Sequence, residues 1–430
     1  MRDRKLHISL REVFYIIAAI LLFFEIYLME IKGLRFFRYF DEAIAVLCVL
    51  KILSSAVLRG LDRSQIRLLL LMVLVLAIGL VSTYRAALQY LPEAIITDVG
   101  NTFKVFVTYV GATLYLKPVK DKKRIVKSLA TVMRLFVVVL FVSMLLHFTG
   151  IVRMGNDVRY GLPSFQFINF GAGQLSFMFY SIFLVLTVDM RYDRRNRQVK
   201  LLFILLAAIV WVSTLRTRAF MYVIMFFVLY WLLIRKNIEL KLNWKTLLVG
   251  FVVMLIFSLD QLETYFGNER TARSQFLEYG FITLYLYMPF GAGFAVYGTD
   301  AAVTYYSLLY YIYGFDKVWG LSPSNPIFAH DTYWPAIMAQ FGIFGLIAML
   351  LVIYNWGRDV LSRAKYEKHA YLAGLFIVIT QIAASVATAT FFHFVTVGIC
   401  FLLPILFDDS PTKKEIGVTY ETSNRLHPHI

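Results

Sequence analysis

The sequence has only two cysteines among its 430 residues, Cys48 and Cys400, and both lie in apolar segments. Neither has a neighbour at metal-ligand spacing, so the sequence excludes a disulfide framework and a cysteine-based metal site. Charged residues are also scarce, at 16%, whereas 60% of the residues are hydrophobic. A soluble protein has no way to bury so large a share of apolar side chains. The composition therefore predicts a polytopic membrane protein.

The apolar runs have the length of helices and lack the alternation typical of a membrane β-barrel. We predict an all-α polytopic membrane protein with about 12 transmembrane helices, each crossing the bilayer with roughly 20 residues. Residues 1–407 are expected to form a single transmembrane helical domain with one large outer (periplasmic) loop at about 261–331. Residues 408–430 are expected to form a polar cytoplasmic tail. The first apolar run lacks a small-residue cleavage site and is interpreted as a signal anchor.

The excess of basic residues has a simple topological interpretation. If the predicted spans alternate, 28 of the 43 lysines and arginines lie on one side of the membrane and 11 on the other. The positive-inside rule then places both termini in the cytoplasm. The basic balance therefore indicates topology rather than a nucleic-acid surface, and no nucleic-acid partner is expected.

Two short apolar runs, Leu201–Leu215 and Phe220–Ile234, flank Arg216-Thr217-Arg218. Each run supplies about 15 residues, or roughly 22 Å of helix, where a span needs about 20 residues. If Lys200 and Arg235 both lie at the cytoplasmic face, the two arginines must lie inside the outer half of the bilayer. Charge at that depth is costly and is normally kept where it lines a functional cavity. Arg216 and Arg218 are therefore candidate site residues.

The outer loop contains further unusual features. Its stretch Arg270–Met288 interleaves apolar and polar residues, which predicts a helix along the membrane interface that ends at Pro289. A cluster of tyrosines follows, and we interpret it as a surface that meets lipid headgroups or sugar rings. The cluster consists of Tyr305, Tyr306, Tyr310, Tyr311 and Tyr313.

Other candidate residues lie on the same predicted side. Guanidinium groups suit phosphate, and a histidine beside them can act as a general base. These candidates are Arg270 and Arg273 at the start of the interfacial helix, Gly291 and Gly293 after Pro289, and His330 with Asp331. His393 at the last outer turn is interpreted as structural, and Arg153 and Arg159 as solvated charges, although Arg159 could join the site. No acidic cluster resembles a metal site on this side, so no metal and no cofactor are expected.

Three segments resemble motifs of the O-antigen polymerase and ligase family, the Wzy/WaaL-type membrane glycosyltransferases of surface polysaccharide assembly. Ser213–Ala219 is similar to that family's Ser-Arg-Gly/Thr turn. Arg273 through Tyr279 to Pro289–Phe294 resembles its Arg-x5-Trp…Pro-x-Gly-x-Gly stretch. His330–Tyr333, followed by Phe341–Gly345, resembles its outer His-Asn/Ser-x-Tyr…Gly-x-x-Gly motif. The resemblance covers about the last half of the chain.

This resemblance implies a function on the outer face of a bacterial cytoplasmic (inner) membrane. The family transfers a glycan from an undecaprenyl diphosphate carrier to a hydroxyl acceptor, with inversion at the anomeric carbon. Catalytic roles would then fall to His330 as base and to Arg216 and Arg273, which bind the diphosphate. Substrate binding would fall to Arg218, Arg270, Asp331, Tyr279, Gly291 and Gly293. Arg216 is preferred over Arg218 as the main diphosphate ligand.

Four interpretations remain open, the last of which is a scaffold for the assembly complex without activity of its own. A polymerase of O-antigen or exopolysaccharide would use the non-reducing end of the next lipid-linked repeat unit as acceptor, and we favour it. A ligase would transfer the glycan to lipid A–core. A flippase of lipid-linked oligosaccharide is the alternative from another class, although transporter sites usually lie near the midplane. Expected partners are the lipid bilayer, the lipid-linked glycans, and a chain-length regulator and flippase of the same pathway.

Overall fold

The computed structural model describes residues 9–168, 172–192, 196–238, 271–329 and 332–407, with only the backbone of Ala172 and Arg273. Within these ranges the protein is helical apart from one two-residue antiparallel pair, β1 (Val158–Arg159) with β2 (Leu162–Pro163). Twelve α-helices have nine residues or more, and two have five. The prediction of an all-α fold is therefore confirmed for the described residues.

The first eight helices precede the long gap in the described residues. They are α1 (Leu10–Leu28), α2 (Phe40–Val57), α3 (Arg63–Ala86), α4 (Pro92–Leu116), α5 (Lys123–Phe148), α6 (Ala172–Asp189), α7 (Arg197–Val212) and α8 (Thr217–Tyr230). A π-helical turn, Trp231–Arg235, continues α8. Local sequence explains several starts: Asp62 and Gln65 form a capping box at α3, and Pro92 occupies the first turn of α4.

Six helices follow the gap. They are α9 (Ala272–Leu286), α10 (Asp300–Thr304), α11 (Leu308–Ile312), α12 (Tyr333–Ala364), α13 (Lys368–Ala387) and α14 (Phe394–Leu402). The long α12 is interrupted at Gly342, whose φ is +63°. The predicted interfacial helix corresponds to α9, which packs against α12.

Five helices are long and apolar enough to cross a membrane, judged by length and composition. They are Arg63–Ala86, Lys123–Phe148, Thr217–Arg235, Tyr333–Ala364 and Lys368–Ala387. Five such helices indicate a multi-pass membrane protein. The total of about 12 spans stays a prediction, with near 20 residues expected in each. The assignment of helix ends to the two sides of a bilayer also stays a prediction.

The helices share one large apolar core. Its contacts pair α3 with α12, α2 with α4, α4 with α14, and α6 with α5, α7 and α13. A second, smaller cluster lies mainly in residues 271–329, which belong to the predicted outer loop and are called the outer segment below. It contains Phe276, Tyr297, Tyr310 and Phe315. The amino-terminal ends of α6, α8 and α14 meet at the ring of Phe177, and the candidate site lies there.

Candidate functional site

The helical hairpin of α7 and α8 positions the two candidate arginines. Helix α7 has 16 residues, so it rises about 24 Å, less than the hydrocarbon core of a bilayer. Helix α8 begins at Thr217 and runs with its π turn to Arg235, a total of 19 residues. The sequence predicted about 15 residues for each of the two runs. The second helix is longer than this because it already includes Arg218.

Lys200, taken in the sequence as a cytoplasmic surface anchor for α7, is buried instead. Its Nζ donates to the backbone oxygen of Asp189 at 2.7 Å and lies 3.2 Å from the Asp189 carboxylate. Arg134 pairs with the same carboxylate. The base of α7 is thus fixed by an internal ion pair with α6 rather than by lipid headgroups.

The connection between α5 and α6 covers the tip of the α7–α8 hairpin. The backbone N–H of Phe165 donates to the Ser213 carbonyl at 2.9 Å, and the Ser164 hydroxyl donates to the Thr214 carbonyl at 2.8 Å. The Tyr160 and Thr217 hydroxyls are hydrogen-bonded at 3.0 Å. The turn that carries the arginines is therefore partly covered by protein, and the Arg216 side chain remains 28% exposed.

Arg216 and Arg159 share one carboxylate, that of Asp157, and a third arginine is near enough for its charge to act on Arg216. Asp157 accepts from Arg159 Nε at 3.1 Å and lies 3.5 Å from a terminal nitrogen of Arg216. Burial lowers the pKa of Arg216, the nearby charges of Arg159 and then Arg218 add to this effect, and the carboxylate opposes it. Arg216 Nε is buried without a partner among the described residues. The cluster thus holds two positive charges in excess and free donor capacity.

Arg159, interpreted from the sequence mainly as a solvated charge, is therefore a member of the arginine cluster. It lies on β1, and the β1–β2 hairpin folds back toward the tip of the α7–α8 hairpin. The β-hairpin is closed by the Ser164 backbone N–H, which donates to the backbone carbonyl of Asp157 at 2.8 Å. Sequence reasoning could not identify this approach, since nearly sixty residues separate Asp157 from Arg216.

Arg218 lies on the other side of the hairpin start and contacts α6. Its guanidinium carbon lies 5.0 Å from the Phe177 ring centroid, and a terminal nitrogen lies 3.5 Å from the Gly173 carbonyl. A cation over an aromatic face is held by the ring quadrupole without neutralising its charge. Arg218 is therefore oriented by protein but retains its charge for an anion.

The motif residues on α9 pack into the aromatic core of the outer segment. Tyr279 contacts the Tyr313 ring at a centroid distance of 4.5 Å and the Phe315 ring at 5.3 Å. No described hydrogen bond, ion pair or ring contact links Tyr279 to the arginine cluster. The substrate-binding role of Tyr279 stays a prediction.

The interpretation of the tyrosine cluster as a surface was wrong for Tyr310, which is fully buried. Its hydroxyl accepts from the Gly298 N–H at 2.8 Å and donates to the Ala329 carbonyl at 3.3 Å. Tyr305 and Tyr311 are exposed. The run of tyrosines is thus divided between the core of the outer segment and its surface.

Gly291 and Gly293 lie in a segment that is inserted between α3 and α12. The N–H groups of Ala292 and Gly293 donate to the carbonyls of Ala339 and Gln340, each at 2.8 Å. These bonds use carbonyls beside the interruption of α12 at Gly342. The glycines permit close backbone packing, and the structure shows no described contact between them and the arginines.

Gly293 permits a test of this packing. Its φ is +96°, and an added Cβ would lie 2.4 Å from the Cα of Thr83. We expect Gly293→Ala to reduce the free energy of unfolding by about 2–5 kcal/mol, from backbone strain and overpacking together. Thermal unfolding in detergent would measure the loss. The control is Gly314→Ala, which also has positive φ, +71°, but open space around the new methyl group. Equal stability of the two variants would contradict the packing argument.

A buried ionic cluster that sequence reasoning missed joins α1, α2 and α4. Lys104 on α4 forms an ion pair with Asp41 at 2.7 Å and lies 3.4 Å from Glu42, both on α2. The backbone N–H of Asp41 donates to Glu25 of α1 at 3.2 Å. The available signal was a lysine inside an apolar run, opposite carboxylates that begin the neighbouring helix.

His393 precedes α14 and was interpreted as structural. Its Nδ1 accepts from the backbone N–H of Val395 at 3.3 Å, so it caps the helix. Its ring also stacks on Phe177 at a centroid distance of 4.8 Å. The structural interpretation is thus confirmed in part, and the same ring that orients Arg218 also holds His393.

Arg270, His330 and Asp331 lie outside the described residues, as does the side chain of Arg273, so the structure does not test their predicted roles. Among the residues that are described, no group of three or more His, Cys, Asp or Glu side chains could hold a metal ion. The prediction of a metal-independent reaction stays a prediction.

The structure thus brings Arg216, Arg218 and Arg159 together, and it places Tyr279, Gly291 and Gly293 in the packing of the outer segment. Comparison with models of known protein families gives no match for this sequence. Comparison with curated proteins gives no match either.

Proposed function

We propose that this protein is a glycosyltransferase of surface polysaccharide assembly, and specifically a polymerase of O-antigen or exopolysaccharide. It would transfer a glycan from undecaprenyl diphosphate to the non-reducing end of a lipid-linked repeat unit, at the periplasmic face of the bacterial cytoplasmic membrane. The proposal combines the motif resemblance with the arginine cluster at the α7–α8 tip.

The observation that carries the proposal is the gathering of Arg159, Arg216 and Arg218, of which the first two pair with a single carboxylate. Guanidinium forks match the geometry of phosphate oxygens and stay charged at any relevant pH. The excess of two positive charges suits a diphosphate. A headgroup anchor would need neither the covering connection nor a third arginine contributed by β1.

The chemistry assigns a role to each proposed residue. The acceptor hydroxyl attacks the anomeric carbon, and its proton passes to His330 while the bond from that carbon to the diphosphate oxygen breaks. The leaving group carries the bonding electrons away as negative charge on its terminal phosphate. Arg216 and Arg273, assisted by Arg218 and Arg270, would stabilise that charge, as fixed donors do in other transfer reactions. Asp331 would orient His330 or bind sugar.

The proposed topology places this chemistry on the outer side. The proposed topology has about 12 spans of near 20 residues each, and both termini lie in the cytoplasm. The α7–α8 tip, the α5–α6 connection and the outer segment then lie on the same, periplasmic face. Arginines confined to one face, beside a large outer loop, favour an enzyme over a transporter, whose site would lie near the midplane.

The test uses purified protein in detergent with a lipid-linked repeat unit as the only glycan substrate. A polymerase lengthens the glycan without a second compartment, and the products form a ladder on a gel. A ligase would give product only when lipid A–core is added. A flippase would give no longer product under either condition, and that result would refute the proposed reaction.

Asp157 occupies the position of a counter-ion in the arginine cluster, so it should compete with the phosphate. We expect Asp157→Asn to tighten binding of farnesyl diphosphate up to about 5-fold at low salt, since removing a partly exposed ion pair frees up to about 1 kcal/mol. Calorimetric titration in detergent would measure the change. Glu278→Gln removes an exposed carboxylate from α9 and controls for net charge. Weaker binding by Asp157→Asn would mean that the carboxylate positions the arginines instead.

A further inference from the structure

The ring of Phe177 joins two polar residues from different helices. Arg218, from the start of α8, lies with its guanidinium carbon 5.0 Å from the ring centroid. His393, from the start of α14, stacks on the same ring at 4.8 Å with an interplanar angle of 27°. Phe177 itself lies on α6, one turn from Gly173, whose carbonyl is near Arg218. Three helix ends thus meet at one aromatic side chain.

The cap of α14 fixes the tautomer of His393. Because Nδ1 accepts the Val395 N–H at 3.3 Å, Nδ1 carries no proton. In the neutral ring the proton then resides on Nε2, which is a donor. No described residue accepts from Nε2. A second proton could bind only at Nδ1, where it would break the cap and make the ring a cation.

The surroundings oppose that cation. Removal from water lowers the pKa of His393 to about 4, and the charge of Lys104 adds to the effect. Asp300 and Asp41 oppose the shift, whereas Arg218 contributes to it. His393 is therefore neutral near pH 7, a donor of one hydrogen bond that is poorly suited to act as a base.

We infer that His393 binds the substrate through Nε2–H, donating to an oxygen of the prenyl diphosphate that Arg218 binds. This inference rests on the proposed function. It adds a second, neutral donor from α14 to the arginine cluster, and it separates two histidine roles: one ring that binds, and His330, which is proposed to accept the proton. Phe177 positions both donors, and the amino end of α14 adds favourable dipole potential for an anion.

Two substitutions separate the two edges of the ring. His393→Asn keeps an oxygen that can cap α14, since Asn is a preferred N-cap residue, but its amide cannot reach the position of Nε2. His393→Gln places an N–H near the position of Nε2 but gives up the cap. His393→Ser retains a cap without any N–H and serves as the second capped variant.

The experiment measures the affinity of each purified variant for farnesyl diphosphate, with farnesol as the uncharged control, together with glycan extension. We expect His393→Asn and His393→Ser to weaken diphosphate binding about tenfold, as loss of a hydrogen bond to a charged group predicts. KM for the lipid-linked donor should rise while kcat stays unchanged. His393→Gln should bind within about threefold of wild type at a lower melting temperature, because it loses the cap.

The other outcomes each overturn the inference. Wild-type affinity in His393→Asn and His393→Ser would show that the residue only caps α14. A fall in kcat with unchanged affinity would show that His393 moves a proton. Both results leave the proposed function intact. If wild-type protein binds farnesyl diphosphate no better than farnesol, the proposed function fails and the inference fails with it. If His393→Gln does not fold, the two capped variants still decide.

Discussion

We expect Arg216→Ala to reduce glycan polymerisation at least about 100-fold, which is the usual cost of removing one fixed donor from a site that stabilises developing charge. Arg216 is the residue of the cluster with a buried, unpartnered Nε and a weak 3.5 Å contact to Asp157, so most of its donor capacity is free for a ligand. The loss should therefore appear in activity rather than in folding, since a partly exposed pair contributes at most about 1 kcal/mol to stability.

The comparison of three variants makes this result specific. Arg216→Lys should recover only part of the activity, because an ammonium group lacks the planar fork that binds two oxygens at once. Arg153→Ala removes an exposed arginine from the same outer connection and should leave activity unchanged. Glycan ladders from membranes with matched protein levels would measure all three. A wild-type amount of product from Arg216→Ala would show that the reaction does not need the arginine cluster.

The sequence predicted the parts of this site that depend on local pattern. Two apolar runs interrupted by Arg216 and Arg218 predict a helical hairpin with charges at its tip, and the structure has that hairpin. The positions of Asp157 and Arg159 depend instead on a β-hairpin that folds back over the tip, held by bonds from Ser164 and Phe165 to the turn. The Phe165 bond joins two backbone groups that any residue provides, and the Ser164 bond needs only a hydroxyl group and a carbonyl, so no motif marks them.

The errors of sequence reasoning have the same physical origin. Tyr310 is indistinguishable in the sequence from Tyr305 and Tyr311, yet its hydroxyl finds two buried backbone partners, and it lies in a core. Residue type alone does not separate a tyrosine that meets lipid from one that bonds to backbone inside a small domain. The glycines after Pro289 show a related ambiguity, because a backbone-exposing turn and a tightly packed one have the same composition.

The ionic cluster around Lys104 gives the largest expected effect on stability. Lys104 and Asp41 are both buried, and their 2.7 Å ion pair joins α4 to α2. Removing one partner leaves the other charge buried and uncompensated, which typically costs about 3–5 kcal/mol. We expect Lys104→Met to lower the free energy of unfolding by about this amount and to reduce the yield of folded protein.

A double-substitution cycle separates the pair from the loss of side-chain packing. Lys104→Met combined with Asp41→Asn removes both charges and should be more stable than Lys104→Met alone, since no unpaired ion is left in the pair. Lys51→Met is the matched control: this half-exposed lysine lies on α2 and has no ion pair among the described residues, so its loss should change stability little. Thermal unfolding in one detergent would measure all variants. Additive effects of the two substitutions would show that the pair contributes no coupling energy to folding.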